Sequence, residues 1–402
     1  MKLKILILYV FALSITFAQK TQYVILISFD GFRWDYSERG VTPNMDNIKK
    51  EGVHAFSLKP VFPTKTYPNH YSIITGMYPE NHGIISNSFL NPYTNESYNL
   101  GNREAVRDSK WYLGEAFWET AERNGIICAS YFWPGSEVDL EERRPKYYKI
   151  YDHHNSYKNR IDGAINWLKL PYSERPHFIS LYFHDTDFYG HDYGPNSVEI
   201  DQSISRLDSL VGYLNNGLNE INLKDSVNII LLSDHGMTEI STERTINIDE
   251  ILTGYDYEIG GAKPFMMIEP SKNNFYEVYD RLKENENHFK VYLREELPHR
   301  FHFSKHPFIS SIILIADLGW SLVSNDWLNQ MKKYSSKGNH GYDNCHIDMH
   351  GIFIAKGPVF KQSYKTSTIR NIDVYPLLCK IFGIHPRSNV DGKLEFIEHV
   401  LK

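Results

Sequence analysis

Residues 23–31 read YVILISFDG, seven nearly apolar residues closed by an acidic turn. A strand with one solvated face alternates apolar and polar side chains. This run does not alternate, so it is expected to be a strand covered on both faces, as in a parallel sheet flanked by helices. The pattern recurs in HFISLYF at 177–183 and VNIILLS at 227–233, and residues 126–132 and 350–355 read as further strands. Helical patterns fall within 43–57, 115–123, 158–168, 198–219 and 371–382. This alternation predicts an α/β fold, in which ligands gather beyond the carboxyl ends of the strands. Asp30 and Asp234 stand at such ends. Asp187 and His191, in the DTDFYGHDYGP segment read as a glycine-containing loop, follow a third. An Asp-Gly turn explains one such acid, but not its recurrence after three strands.

The chain has 402 residues, 42% hydrophobic and 23% charged, ample for one large core. Between about 240 and 335 the pattern becomes more charged and less regular, with a helix expected at 276–285 and a strand at 310–319. This reads as a small α+β insertion in the domain 19–402. A net charge of −6 without a long Lys/Arg block argues against a general nucleic-acid surface. Lys2 and Lys4 precede an apolar run over residues 5–17, and Thr16 and Ala18 have the spacing read by a signal peptidase. Residues 1–18 are therefore expected to be a cleaved signal peptide, with the remainder secreted or periplasmic and no membrane span. The three cysteines, Cys128, Cys345 and Cys379, allow at most one internal disulfide, and Cys345 is expected to be a buried thiol.

The chemistry centres on FPTKTYPNHYSIITGMYPENHGIISN at 62–87. Thr66 precedes a helical pattern with Pro68 near its start. A threonine there can simply cap the helix. Beside a base or a metal ion the same hydroxyl becomes a nucleophile. Asn87 offers an amide donor for a developing phosphoryl oxygen, although alone it reads as a loop residue. Tyr148 and Tyr151 fall in an aromatic stretch able to stack on a ring. Asp30, Thr66, Asp187, His191, Asp234, His235 and His340 form the candidate ligand set. Mixed carboxylate and imidazole ligation suits zinc better than magnesium. Two zinc ions about 4 Å apart would hold the attacking and leaving oxygens of an in-line displacement.

The segments SFDGFRW, FPTKTYPNHYSIITGMYPENHGIISN, YFWPGSEV, DFYGHDYGP, LLSDHGM and GNHGYDN occur here in the order found in the nucleotide pyrophosphatase/phosphodiesterase family. The chain closely resembles that family over nearly all of 19–402. The resemblance implies an alkaline-phosphatase-like three-layer α/β/α sandwich. By motif position, one zinc would sit on Asp30, Thr66, Asp234 and His235, and the other on Asp187, His191 and His340. It further implies that Thr66 is the nucleophile, that Asn87 binds the phosphoryl oxygen, and that Tyr67 and Tyr151 sandwich a base. A phosphothreonine intermediate would release a nucleoside monophosphate. The family often places an acidic pair and a proline before the metal-binding aspartate, where this chain has His184-Asp185-Thr186-Asp187. That departure bears on the pocket wall and so on substrate preference, and because ring-stacking aromatics also suit a greasy pocket, a phospholipid-directed phosphodiesterase of the same family is the alternative reading. A non-catalytic metal-binding protein is disfavoured by retention of Thr66 with every ligand. Sulfatase chemistry is disfavoured because no cysteine stands at the nucleophile position.

Overall fold

A computed structural model describes residues 22–331 and 336–402. The expected signal peptide lies outside the described residues. The central sheet has eight strands: β1 (Tyr23–Phe29), β2 (Val53–Ala55), β3 (Cys128–Tyr131), β4 (Tyr147–Lys149), β5 (Phe178–Phe183), β6 (Val227–Leu232), β7 (Phe353–Lys356) and β8 (Tyr364–Thr366). Their spatial order is β8-β2-β7-β6-β1-β5-β3-β4. β1 lies parallel between β5 and β6, with Ile25 opposite Ile179 and Ile229. β7 alone in this sheet runs antiparallel, pairing β6 on one side and β2 on the other.

Every residue of β1 is buried, which explains its lack of alternation. Val24 and Leu26 point into one core; Ile25, Ile27 and Phe29 point into the other. The first core is roofed by helices α2 (Thr66–Thr75), α3 (Phe117–Arg123) and α7 (Val374–Phe382). The second is covered by α1 (Pro43–Glu51), α4 (Tyr157–Leu168) and α6 (Val198–Glu220). Each fully buried aliphatic side chain contributes about 1.5–3 kcal/mol, so the two covered faces, rather than strand propensity, hold the sheet. The result is the three-layer α/β/α sandwich expected of the alkaline-phosphatase-like fold.

Within the stretch read as an insertion, strands Tyr257–Ala262, Phe265–Pro270, Ile312–Ala316 and Phe289–Leu293 form a separate antiparallel sheet in that order. Helix Phe275–Glu284 buries Val278 and Leu282 against it, one turn apart.

Two expectations are corrected. Asp187 and His191 are on a helix, α5 (Asp185–Tyr193), not in a loop. Gly190 marks a close approach rather than a turn, because a Cβ there would lie 2.9 Å from the Met237 Cε. A Cβ on Gly338 would lie 2.2 Å from the Gly190 carbonyl oxygen, so a glycine is required at 338, where these backbones meet. Cys345 is exposed, not buried. It follows Asp343, whose carboxylate accepts the Cys345 N–H at 2.9 Å, and its thiol faces Arg300 Nη1 at 3.1 Å. Two cations, Arg300 and Lys59, border the thiol, and no apolar core covers it.

Candidate active site

Thr66 is the first residue of α2, following Lys65 in extended conformation. Pro68 takes the third helical position, where its missing N–H belongs to a group that no helical carbonyl would have accepted. This start places Thr66 Oγ1 3.4 Å from His235 Nε2. Beneath it, the His70 Nδ1–H donates to the Thr66 carbonyl at 2.9 Å and lies 3.3 Å from Asp234 Oδ2, while Nε2 accepts from the Ser28 hydroxyl at 2.8 Å. The buried Lys65 donates to the carbonyls of Lys263 and His340 at 2.7 and 2.8 Å, tying the Thr66 turn to the His340 loop.

The seven candidate ligands converge. His235 Nε2 is 3.3 Å from Asp30 Oδ1 and 3.1 Å from Asp234 Oδ2. Asp187 Oδ1 is 3.4 Å from His191 Nε2 and 3.5 Å from His340 Nε2. The His235 and His340 rings stack with centroids 3.6 Å apart. Two groups have ligand atoms within 4.8 Å of one another, Asp187 with His191 and His340, and Asp30 with Asp187 and His235. Asp187 thus belongs to both clusters.

Three observations fit this cradle to metal ions. Asp30 Oδ1, Asp187 Oδ1 and Asp234 Oδ2 are buried and accept no hydrogen bond, although such orphans cost about 1–3 kcal/mol each. His235, His191 and His340 each donate Nδ1–H to a backbone carbonyl, of Gly236, Gly338 and Thr64, at 2.8, 2.9 and 2.8 Å. Their Nε2 lone pairs are left facing the carboxylates, the usual outer support of a ligating histidine. The charges are also unbalanced. Burial, then Asp234 and Asp187, push the Asp30 carboxyl well above its ordinary range, and burial with Asp187 does the same to Asp234. Burial drives His235 down to about 3. Divalent cations would relieve this crowding, and carboxylate, imidazole and hydroxyl donors together suit zinc.

A cleft of about 250 Å³ opens beside the cradle, lined by Thr66, Asn87, Tyr67 and Tyr151 among others. The Asn87 Oδ1 accepts the Tyr67 N–H at 3.0 Å, which leaves its Nδ2 donors for a ligand. Tyr148 sits on edge strand β4 beneath Arg144, and is not among the residues lining the cleft. Three polar lining residues, Tyr182, Arg103 and Glu137, were missed by sequence reasoning. Tyr182, inside a strand read as core, donates to Asp30 Oδ2 at 2.5 Å. Arg103 pairs with Glu137, and its guanidinium lies 5.4 Å from the Tyr151 ring centre. The Glu137 Oε2 accepts the Tyr151 N–H at 3.2 Å. Glu137 lies within the YFWPGSEV segment, but nothing local to Arg103 signals a site.

The family model described as type I phosphodiesterase / nucleotide pyrophosphatase matches residues 24–343. Human ectonucleotide pyrophosphatase/phosphodiesterase family member 1 is 38% identical over 394 residues, 95% of this chain and 42% of its own length. Human family member 5 is 38% identical over 384 residues, 94% of this chain and 78% of its own. The chain therefore spans less than half of the first relative and about three quarters of the second. Murine ectonucleotide pyrophosphatase/phosphodiesterase 5 superposes with a TM-score of 0.89 at 35% identity, covering 95% of this chain and all of that one. A second structure of the murine protein, an inactive threonine-to-alanine variant, holds AMP with the same TM-score and coverage. With the converging Asp/His cradle at the carboxyl ends of a mainly parallel sheet, these matches establish that the chain belongs to the type I phosphodiesterase / nucleotide pyrophosphatase family.

Proposed function

We propose that this chain is an exported, zinc-dependent nucleotide pyrophosphatase/phosphodiesterase that cleaves phosphodiester and pyrophosphate bonds through a phosphothreonine. The observation that carries this reading is the Thr66 hydroxyl, 3.4 Å from His235 Nε2, opening into a cleft shared by both ligand clusters. Asp30, Thr66, Asp234 and His235 would hold one zinc and Asp187, His191 and His340 the other; when bound, the ions supply Lewis acidity and make oxygen nucleophiles available near neutral pH. The Thr66 hydroxyl gives its proton to solvent, and its Oγ1 forms a bond to phosphorus as the bond to the leaving oxygen breaks, that oxygen departing with the bonding pair and taking up a proton from water. Asn87 donates from Nδ2 to a phosphoryl oxygen, and the positive end of α2 favours charge accumulating there. Water then cleaves the phosphothreonine and frees the nucleoside 5′-monophosphate.

Tyr67 and Tyr151 take the two faces of the base, with the Arg103–Glu137 pair as the polar edge of the slot. A charged pair at the cleft wall suits a heterocycle with donors and acceptors better than an acyl chain. The AMP held by the murine relative supports the same choice. Residues 19–402 would be one catalytic domain with its insertion at about 240–335, and export would leave Gln19 as the first residue, which sequencing of the mature N-terminus checks. The functional reading is tested by comparing a nitrophenyl nucleotide ester with a nitrophenyl lysophospholipid headgroup ester on zinc-loaded protein. Preferential cleavage of the nucleotide ester supports it, and preferential cleavage of the lipid ester would transfer the chain to the phospholipid-directed alternative.

A further inference from the structure

His184 alone separates strand β5 from α5, the helix that carries Asp187 and His191. His184 is the residue immediately before that helix, and its carbonyl accepts the Phe188 N–H at 3.1 Å. Its ring stacks on His153, with centroids 4.2 Å apart and planes 24° apart. Tyr157 packs edge-on against the ring at 5.3 Å, and Tyr182 lies tilted at 6.5 Å. The His153 Nδ1 in turn is hydrogen-bonded to the Tyr151 hydroxyl at 3.2 Å. A continuous path therefore runs from Asp30 through Tyr182, His184 and His153 to Tyr151, joining the metal cradle to the cleft wall.

Tyr151 is pinned at two points. Its N–H is held by Glu137 and its hydroxyl by His153, while Phe132 abuts its ring edge-on at 5.3 Å. The imidazole at position 184 supplies the flat face on which His153 lies. It does so while leaving Nδ1 buried without a hydrogen bond, a polar atom where an apolar ring would cost less. Burial, with Arg160 and His153 nearby, holds His184 down to about 3, so the ring is neutral when it stacks.

We propose that the stacked His153–His184 pair positions Tyr151 and thereby sets how tightly this chain holds the ring of an aromatic-base nucleoside 5′-phosphodiester. This rests on the nucleotide reading above. The two histidines are neither among the residues lining the cleft nor in either ligand cluster, so they are positioning residues.

The test measures kcat and KM for a nitrophenyl nucleotide ester and for base-free bis(nitrophenyl) phosphate in wild type and in His153→Ala, His184→Phe, Tyr151→Phe and the His153→Ala/Tyr151→Phe double variant. His153→Ala should raise KM for the nucleotide ester by up to about 10-fold, the size of an aromatic pair, with kcat for both substrates and zinc content little changed. His184→Phe, which keeps a flat ring, should stay near wild type. Tyr151→Phe should match His153→Ala, and the double variant should add nothing further, because one contact has been removed from either end. The proposal is overturned if His153→Ala raises KM equally for both esters, leaves it unchanged, or adds its full effect to that of Tyr151→Phe. If wild type itself shows no preference for the nucleotide ester, the nucleotide reading fails and takes this inference with it. Preference in wild type that survives in His153→Ala sinks the inference alone.

Discussion

At the scale of single residues the site depends on few atoms. Thr66→Ala removes Oγ1 and leaves the helix start intact, since the Thr66 contact with His70 is made by a backbone carbonyl. Turnover should fall at least about 10³-fold while zinc content and thermal stability stay close to wild type. Single-turnover kinetics on the zinc-loaded variant checks this, and retained activity would reassign the nucleophile. Tyr67 separates binding from chemistry in a different way. Tyr67→Ala should raise KM for nucleotides several-fold more than for a base-free diester, because only the former places a ring against it. Equal effects would remove Tyr67 from the base slot and leave it as packing against Tyr98, 6.1 Å away.

At the scale of elements, the metal cradle is built where backbones meet. His191 reaches the site from α5 and is oriented by the Gly338 carbonyl at 2.9 Å, across a contact too close for any Cβ on residue 338. Gly338→Ala should therefore push α5 away from residues 338–339 and weaken the Asp187/His191/His340 cluster, the loss of one outer contact typically costing about 10–100-fold in metal affinity. Zinc titration against a chromogenic chelator should show one site weakened and the other near normal; equal loss at both sites would mean general unfolding instead. The same contact explains what was hard to read from sequence. β1, β5 and β6 declared themselves because burial on both faces leaves a purely apolar run. The α5 segment did not, because DTDFYGHDY spends its polar residues on the site and has no amphipathic stripe for a helix to display. Its glycine, which suggested a loop, answers to Met237 and Gly338 far along the chain. Arg103 and Tyr182 were hidden for the same reason, their roles being set by partners 34 and 152 positions away. The seven candidate ligands were legible because several stand at or just beyond strand ends within motif segments, whereas Cys345 was misjudged because nothing adjacent reveals Arg300 facing it.

At the scale of the whole molecule, buried neutral histidines away from the cradle make stability depend on pH. His82 accepts the Ile84 N–H on Nδ1 at 3.2 Å, and its Nε2 faces the Pro68 carbonyl and the Ser72 hydroxyl, so its site accommodates only the neutral ring. Burial drives it down to about 3, and burial drives His350 down to about 4. The unfolded chain takes up these protons near 6.5 while the folded chain refuses them. Stability is therefore fully present above about pH 6.5 and is lost as pH falls below it, by about 2 kcal/mol at pH 5 for a group such as His82. Denaturant midpoints of the wild type should drop between pH 7 and pH 5, and His82→Gln should show a shallower slope. An unchanged slope would mean that His82 is accessible to protons in the fold. Among the described residues, no helix is long and apolar enough to cross a membrane.

These scales meet in the claim that three carboxylates, three imidazoles and one hydroxyl are gathered to hold two metal ions around an attacking threonine. The most direct test is metal analysis of protein purified in fully active form without added metal. The expected result is close to two equivalents of zinc per chain, falling to about one in His191→Ala, which removes a donor found in one cluster alone. Full activity in a preparation that contains no transition metal would contradict the account.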